Sequence, residues 1–410
     1  MQRTSPLGKP HARQYSGRLF MTHAPHPSRD SSPWRTEIFA TLRLSWPLAL
    51  ANLLQMLTYA IDVIFIARLG EEPLAASALA VSVFGLIVWA LCSMTGMVAA
   101  VISAELGARA PALRPVRRAT RMALWLAVLS GAAGMIACLG FEQFALLTGQ
   151  EPALAALGQS YMLILVWSVI PFIVNNVLRS FVSALDRPIF ATAITALGIG
   201  VNAAGNYAFI FGNWGAPALG LPGAAVATLF TSLFTMLAYV VAIRLDRTLH
   251  RYHIFGRWWV PDWPVFWQIA RKGTPIALMV SAEAGVFSAA AFLMGNIGAA
   301  QLAAHTIALQ IAALAFQVPF GVGQASTIRV GYFYGARDSD GMARAGWAGI
   351  GIALLFMSVT SSAMVLVPDY LLAIYIDPWA AANVAMVAFA TRYLLVAAAF
   401  QLVDGVQAVA

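Results

Sequence analysis

A chain of 410 residues that is 60% hydrophobic and 10% charged has too little polar surface to clothe a soluble globule of its size, so the composition excludes an ordinary soluble domain. The net charge of +8 would suit a nucleic-acid binder, but the positions of the charges, described below, point to a membrane face instead. Two cysteines, Cys92 and Cys138, both inside apolar runs, leave no disulfide framework or metal cluster, and packing is their expected role.

Residues 1 to 33, rich in Pro, Ser, Arg and His, read as a disordered tail, with Met21 a plausible true start and no continuous apolar core of the kind a signal peptide needs. From Trp34 to Leu44 charged and apolar residues alternate at helical spacing, which predicts a short amphipathic helix lying in the membrane interface, an anchor rather than a site. A hydrocarbon core about 30 Å thick needs roughly 20 apolar residues per crossing helix. Ten such helices follow, at about 45–68, 76–106, 119–140, 158–184, 189–211, 223–245, 272–297, 302–330, 345–372 and 384–410. A transmembrane β-barrel would alternate polarity over roughly 10-residue segments, and these runs do not. The fold class expected is therefore an all-α integral membrane bundle.

Of the 25 Lys and Arg, all but Arg68 and Arg392 fall in the tail, in loops or at helix ends that share one side of the membrane. They include the cluster Arg109, Arg114, Arg117, Arg118 and Arg121, the turn Arg179 and Arg187, the connection from Arg244 to Lys272, and Arg329, Arg337 and Arg344. The positive-inside rule makes that face cytoplasmic and places both termini inside. The partner of this basic face is anionic lipid, and no nucleic-acid partner is expected. In the connection 246–271, Trp258, Trp259, Trp263 and Trp267 stand beside Arg257 and Arg271, as interfacial rings do.

Sliding the sequence by 228 residues places Pro47 on Pro275, Gly70 on Gly298, Leu74-Ala75-Ala76 on Leu302-Ala303-Ala304 and Gly107-Ala108-Arg109 on Gly335-Ala336-Arg337. Helices one and two thus recur as helices seven and eight. An even number of crossings lies between the copies, which makes the repeat parallel, about an axis along the membrane normal. The organisation expected is a tail and interfacial helix at 1–44, an N-lobe of six helices at 45–245, a cytoplasmic linker at 246–271 and a C-lobe of four helices at 272–410. The duplication predicts twelve helices where ten are present, so the sequence reads as truncated after helix ten.

An ionisable group at bilayer depth costs about 2.5–3.5 kcal/mol on insertion scales, so one that persists usually faces the bundle interior. Asp62, Glu283 and Asp404 are placed in that way; each could equally be a protonated brace between helices. By the 228 shift, Glu283 falls on Gln55, seven residues or about two turns before Asp62, so the two acids project similarly from equivalent helices. Asn202 and Asn206, at i and i+4, share one face of an otherwise apolar helix, where two carboxamides can bridge helices or bind a cation or a carboxyl group. Pro47 is either an N1 proline that starts helix one or a bend point within it. His305 is expected to be structural, and Glu105 to pair with Arg109 one turn on. No HExxH, GxSxG or GxxxxGK[ST] pattern supports an enzyme or an ATP-driven pump.

The stretches WPLALANLLQMLTYAIDVIFIARLG, LRSFVSALDRP, VNAAGNYAFIFGNWGAPALGLPGAAVATLF, GTPIALMVSAEAGVFSAAAFLMGNIGAAQLAAHTIA, FQVPFGVGQASTIRVGYFYGA and AFQLVDGVQAVA resemble the multidrug and toxic compound extrusion family, in its bacterial norfloxacin-efflux branch, over residues 40–410. The resemblance implies two lobes around a cavity that opens alternately to each side of the inner membrane, exporting small, often cationic, organic compounds by antiport with H+ or Na+. It makes Asp62 the proton or cation site of the first lobe, with Asn202, Asn206 and, more weakly, Thr228 as its partners. It makes Glu283 and Asp404 the cation and substrate site of the second; for Pro47 the helix-start reading and the conformational bend-point reading both stand. A monomer without cofactor is expected. A flippase of lipid-linked saccharides shares this architecture but would favour cationic residues in the cavity, where the acids placed here are Asp62, Glu283 and Asp404.

Overall fold

The computed structural model describes residues 32–256, 259–380 and 384–410; the tail with Met21, and Arg257 and Trp258 of the connection, lie outside the described residues. Ten helices among those described are long and apolar enough to cross a membrane. They are α1 Pro33–Ala67, α2 Glu71–Arg109, α3 Leu113–Leu139, α4 Pro152–Ala184, α5 Ile189–Phe211, α6 Leu221–Leu245, α7 Trp263–Ile297, α8 Ala299–Ala336, α9 Ser339–Leu366 and α10 Val384–Gln407. Helix α2 is interrupted at Met97 and α4 by a 3-10 turn at Val166–Ser168. Short helices at Phe141–Leu147, Arg247–His250 and Pro368–Leu372 lie in the connections.

Except for α5 and α10, which start where expected, the helices begin earlier than apolar runs alone suggest, because capping residues and prolines as well as hydrophobicity set where a helix starts. Asp262 caps α7, accepting from the backbone N–H of Val265, and Pro264 follows in its first turn, so α7 starts at Trp263, nine residues before the expected position. Trp263 and Trp267 thereby become exposed residues of α7 itself. The Arg118 guanidinium of α3 donates to the same Asp262 carboxylate and holds its pKa below the ordinary carboxylate value. Asp338 caps α9 by accepting from Gly341 N at 2.8 Å.

Helix α1 corrects the reading of residues 34–44 as a separate interfacial helix. Pro33 occupies its first turn, and the helix runs unbroken to Ala67. Glu37, Thr41, Leu44, Ser45 and Leu48, spaced three and four apart, form a buried stripe. Glu37 is 5% exposed and receives two hydrogen bonds from the Arg329 guanidinium of α8, Nε to Oε1 at 2.8 Å and Nη2 to Oε2 at 2.6 Å. Arg329, itself 9% exposed, also lies over the Phe333 ring at 5.1 Å. What looked like a membrane anchor is therefore a tie between the first and second halves. The N1 reading of Pro47 falls for the same reason, since Pro47 lies inside α1.

The duplication is visible as a reciprocal contact. A Cβ on Gly107 of α2 would lie 1.8 Å from the Tyr332 carbonyl oxygen, and one on Gly335 of α8 would lie 1.8 Å from the Ala104 carbonyl oxygen. The 228-residue shift turns each of these pairs into the other, which is the signature of a two-fold axis passing between α2 and α8 at their arginine-rich ends. On either side, α1 packs on α8 and α7 packs on α2, so the first helix of each half also lines the seam with the other half. At these crossings Gly321 stands against Ala49, and Gly273 against Met94.

The backbone contact at the axis leaves no room for a side chain. Gly335→Val is expected to remove most of the folded, monodisperse protein recovered from membranes. Gly346→Val, where a Cβ meets open space, should leave the yield at the wild-type level. Equal yields of the two variants in size-exclusion profiles would show that α2 and α8 do not need this approach.

Candidate functional site

In the first half, α1 and α5 pack side by side and bring the predicted polar residues together. Helix α5 carries Asn202 and Asn206 one turn apart on the face turned to α1, which is why both are buried, at 1% and 0% exposure. Asn202 Nδ2 donates to Asp62 Oδ1 at 2.9 Å and Asn206 Nδ2 donates to the same oxygen at 2.6 Å. Asn206 Nδ2 also donates to Asn202 Oδ1 at 3.2 Å, whereas Asn206 Oδ1 is buried without a partner. Thr228 of α6 stands beside the same carboxyl group, its hydroxyl donating to the Ala224 carbonyl at 3.1 Å. Gly205, facing Ala227 with room for no more than a Cβ at 3.0 Å, is what lets α5 and α6 come this close.

Chemically, the cluster can hold a cation or a proton. Asp62 offers a carboxylate whose hydrogen-bond partners among the described residues are neutral, and the unpartnered Asn206 Oδ1 is one more oxygen for a cation to find. Among the described residues no group of three His, Cys, Asp or Glu could hold a metal ion.

Two tyrosines belong to this site that the sequence reading did not assign to it. Tyr161 of α4, fully buried, and Tyr59 of α1 both lie within electrostatic reach of Asp62. Tyr59 could have been found from its place three residues before Asp62 on one helical face. Tyr161 comes from another helix and only packing brings it in.

In the second half, Glu283 of α7 and Asp404 of α10 come within electrostatic reach of each other. Their setting differs from that of Asp62. Among the described residues no side chain donates a hydrogen bond to either carboxylate, and both are partly exposed rather than buried. Phe287 of α7 and Phe400 of α10, each four residues from one of the acids, approach at 6.4 Å between ring centres and form an apolar wall beside them.

Pro47 and Asp62 lie on one helix, and Thr192 of α5 donates to the Pro47 carbonyl at 2.6 Å, which fastens α1 to α5 on the basic side of the Asp62 cluster. His305 meets Tyr393 edge to face at 6.1 Å, a packing contact of α8 with α10. Glu105 and Arg109 form the expected i, i+4 pair at 3.2 Å. Arg179 departs from expectation: it is not in a turn but within α4, turned inward to α1 and α8.

The MatE family pattern matches residues 47–208 and 275–410, one match in each half, and leaves α6 and the connection between the halves unmatched. A Mesorhizobium japonicum protein described as "Probable multidrug resistance protein NorM" is 42% identical over 378 residues, covering 92% of this chain and 81% of its own length. The multidrug resistance protein NorM of Burkholderia vietnamiensis is 33% identical over 370 residues, 90% of this chain and 79% of that one. Among solved structures, the outward-facing conformation of a multidrug resistance MATE family transporter of the MOP superfamily superposes with a TM-score of 0.75 at 22% identity, over 91% of this chain and 83% of that chain. The eukaryotic MATE transporter AtDTX14 gives a TM-score of 0.76 at 14% identity, over 92% and 82% of the two chains. Both are likenesses of fold alone. With both repeats matched and relatives this similar along nearly its whole length, the chain belongs to the MatE family of membrane transporters.

Proposed function

We propose that this multidrug efflux transporter exports small organic cations and related drugs across the inner membrane by antiport with H+ or Na+, with its arginine-rich face and both termini in the cytoplasm. The observation that carries the reading is the Asp62 carboxylate, held by two buried carboxamides and free of any basic partner among the described residues. A charge so placed is costly unless it is periodically neutralised, and an inward-moving cation neutralises it. Each positive charge that enters gains about 2.3 kcal/mol per 100 mV, energy that drives export only if a site such as this one accepts the ion. The first lobe then supplies the ion site through Asp62, Asn202, Asn206 and Thr228. The second supplies Glu283 and Asp404, whose partly open setting beside Phe287 and Phe400 suits a bulky organic cation or Na+. Pro47 is the point at which α1 changes shape as Asp62 loses or gains its proton. No bound cofactor enters this scheme.

Substrate and coupling ion then compete for the second-lobe acids. Binding of a cationic dye to the purified protein should weaken as H+ or Na+ concentration rises, and Glu283→Gln should weaken it further, by about tenfold if one carboxylate–cation contact worth about 1.4 kcal/mol is lost. In proteoliposomes, a gradient of the coupling ion alone should drive dye movement. Dye affinity indifferent to both ions and to the substitution would overturn the competition, and dye movement indifferent to any ion gradient would overturn antiport.

A further inference from the structure

Arg179 has no part in the ion or substrate sites, yet it is a guanidinium inside a membrane-crossing helix. Its Nη2 donates to Asn52 Oδ1 of α1 at 2.5 Å and to Gln324 Oε1 of α8 at 3.1 Å, with the Leu48 carbonyl of α1 a looser third acceptor at 3.5 Å. Asn52, 5% exposed, in turn donates from Nδ2 to the Gln317 carbonyl of α8 at 3.5 Å. The cluster therefore joins three helices, two from the first half and one from the second. It is assembled by the close approach of α1 to α8 at Ala49 and Gly321, where a Cβ would lie 2.6 Å from the Ala49 nitrogen.

We infer that Arg179, Asn52 and Gln324 form an interlobe latch that holds the arginine-rich side of the transporter shut, and that releasing it is part of the transport cycle. The inference rests on the reading of the chain as a two-lobed transporter whose lobes part on each side in turn.

The chemistry of the acceptors suits a latch rather than a permanent brace. A guanidinium paired with a carboxylate at this depth would be very costly to separate, because each charge would be stranded when the lobes part. Here every acceptor is neutral, and an amide oxygen is readily replaced by water entering an opening cleft. The partners are also divided unequally. Leu48 and Asn52 share the first lobe with Arg179 and move with it, so opening exchanges only Gln324 and the Asn52–Gln317 bond. Arg179 is thus never without two acceptors. The Glu37–Arg329 pair crosses the same α1–α8 seam nearer its basic end, where parting lobes hand both charges to water rather than strand them in the bundle, so it can open together with the latch, which sits between that pair and the Asp62 site on one continuous helix.

The test is a pair of opposite changes at Gln324, read by a crosslink that reports closure directly. Ser103 and Gly331 face each other across the two-fold axis, with the Ser103 Cβ 3.2 Å from where a Gly331 Cβ would lie, close to the roughly 3.5–4.5 Å that a disulfide spans. Ser103→Cys with Gly331→Cys, in a chain with Cys92→Ala and Cys138→Ala, should crosslink readily in membranes when this side is shut. Gln324→Ala, which leaves Arg179 and the first lobe intact, should slow crosslinking several-fold. Gln324→Glu, which gives Arg179 a carboxylate partner, should speed it, and both should reduce dye export, one by leaking open and the other by failing to open. Arg179→Gln should resemble Gln324→Ala; if it fails to fold, the Gln324 variants decide the matter alone. Crosslinking that is unchanged in both Gln324 variants, or that moves in the same direction in both, would overturn the latch. Because crosslinking needs no substrate, absence of ion-driven dye export from the unmodified chain would count against the transport reading without bearing on this result.

Discussion

Asp62→Asn is expected to reduce dye export from cells or proteoliposomes to the background of empty membranes while leaving membrane abundance unchanged. Asparagine has the size of a protonated aspartic acid and can still meet Asn202 and Asn206, which lie 2.9 and 2.6 Å from the carboxylate oxygen, so α1 and α5 should pack as before. What is lost is the ability to alternate between a charged and a neutral state. A site fixed in the neutral form neither attracts an incoming cation nor releases a proton, and coupling stops. Glutamate at this position tests the same point from the other side, since it keeps the charge but adds a methylene to a site packed against two buried carboxamides. Wild-type export by Asp62→Asn at equal abundance would remove Asp62 from the mechanism.

Glu37→Gln is expected to be the most destabilising single substitution outside the glycine contacts, by about 3–5 kcal/mol. The side chains of Glu37 and Arg329 are only 7% and 11% exposed, and the pair is bidentate, so removing the carboxylate charge leaves the Arg329 guanidinium buried without its bidentate carboxylate partner. Replacing both with methionine should cost less than either single change, because no charge is then stranded. Thermal unfolding of the detergent-solubilised protein would show this as a large drop for Glu37→Gln and a partial recovery for the double variant. An unfolding temperature unmoved by Glu37→Gln would mean that α1 is held to α8 by packing alone.

The sequence made the larger architecture legible because the bilayer imposes it: apolar length reports crossings, and the 228-residue register reports the duplication. The resemblance to the family, more than the residues themselves, joined Asn202 and Asn206 to Asp62, since two carboxamides one turn apart in an apolar helix serve equally well as a bridge between helices. The ties between the lobes were harder to read. Arg179 and Arg329 fit a count of basic residues at helix ends, and nothing local separates a solvated arginine from one that turns inward to Gln324 or Glu37. Glu37 lies in a segment whose alternation suits a surface helix, and only the covering helix α8, 292 residues away in sequence, makes it a buried residue. Helix starts were missed where a cap such as Asp262 precedes a polar first turn, because the apolar run begins later than the helix does.

The reciprocal contact of Gly107 with the Tyr332 carbonyl and of Gly335 with the Ala104 carbonyl also bears on how such a chain comes to exist. A surface that docks onto its own copy is what a half-length polypeptide needs in order to assemble with itself, so each repeat carries the means of homodimerisation in its second helix. Joined in one chain, the copies no longer have to change together. The 228-residue shift carries Glu37 to Val265 and Arg329 to Val101, so the buried ion pair exists on one side of the axis only. Symmetric subunits could not have acquired it once; in them every charge placed on one seam would appear on the other. The covalent link is therefore what permits the two seams to differ in strength, and lobes that part along seams of different strength separate along a preferred one first.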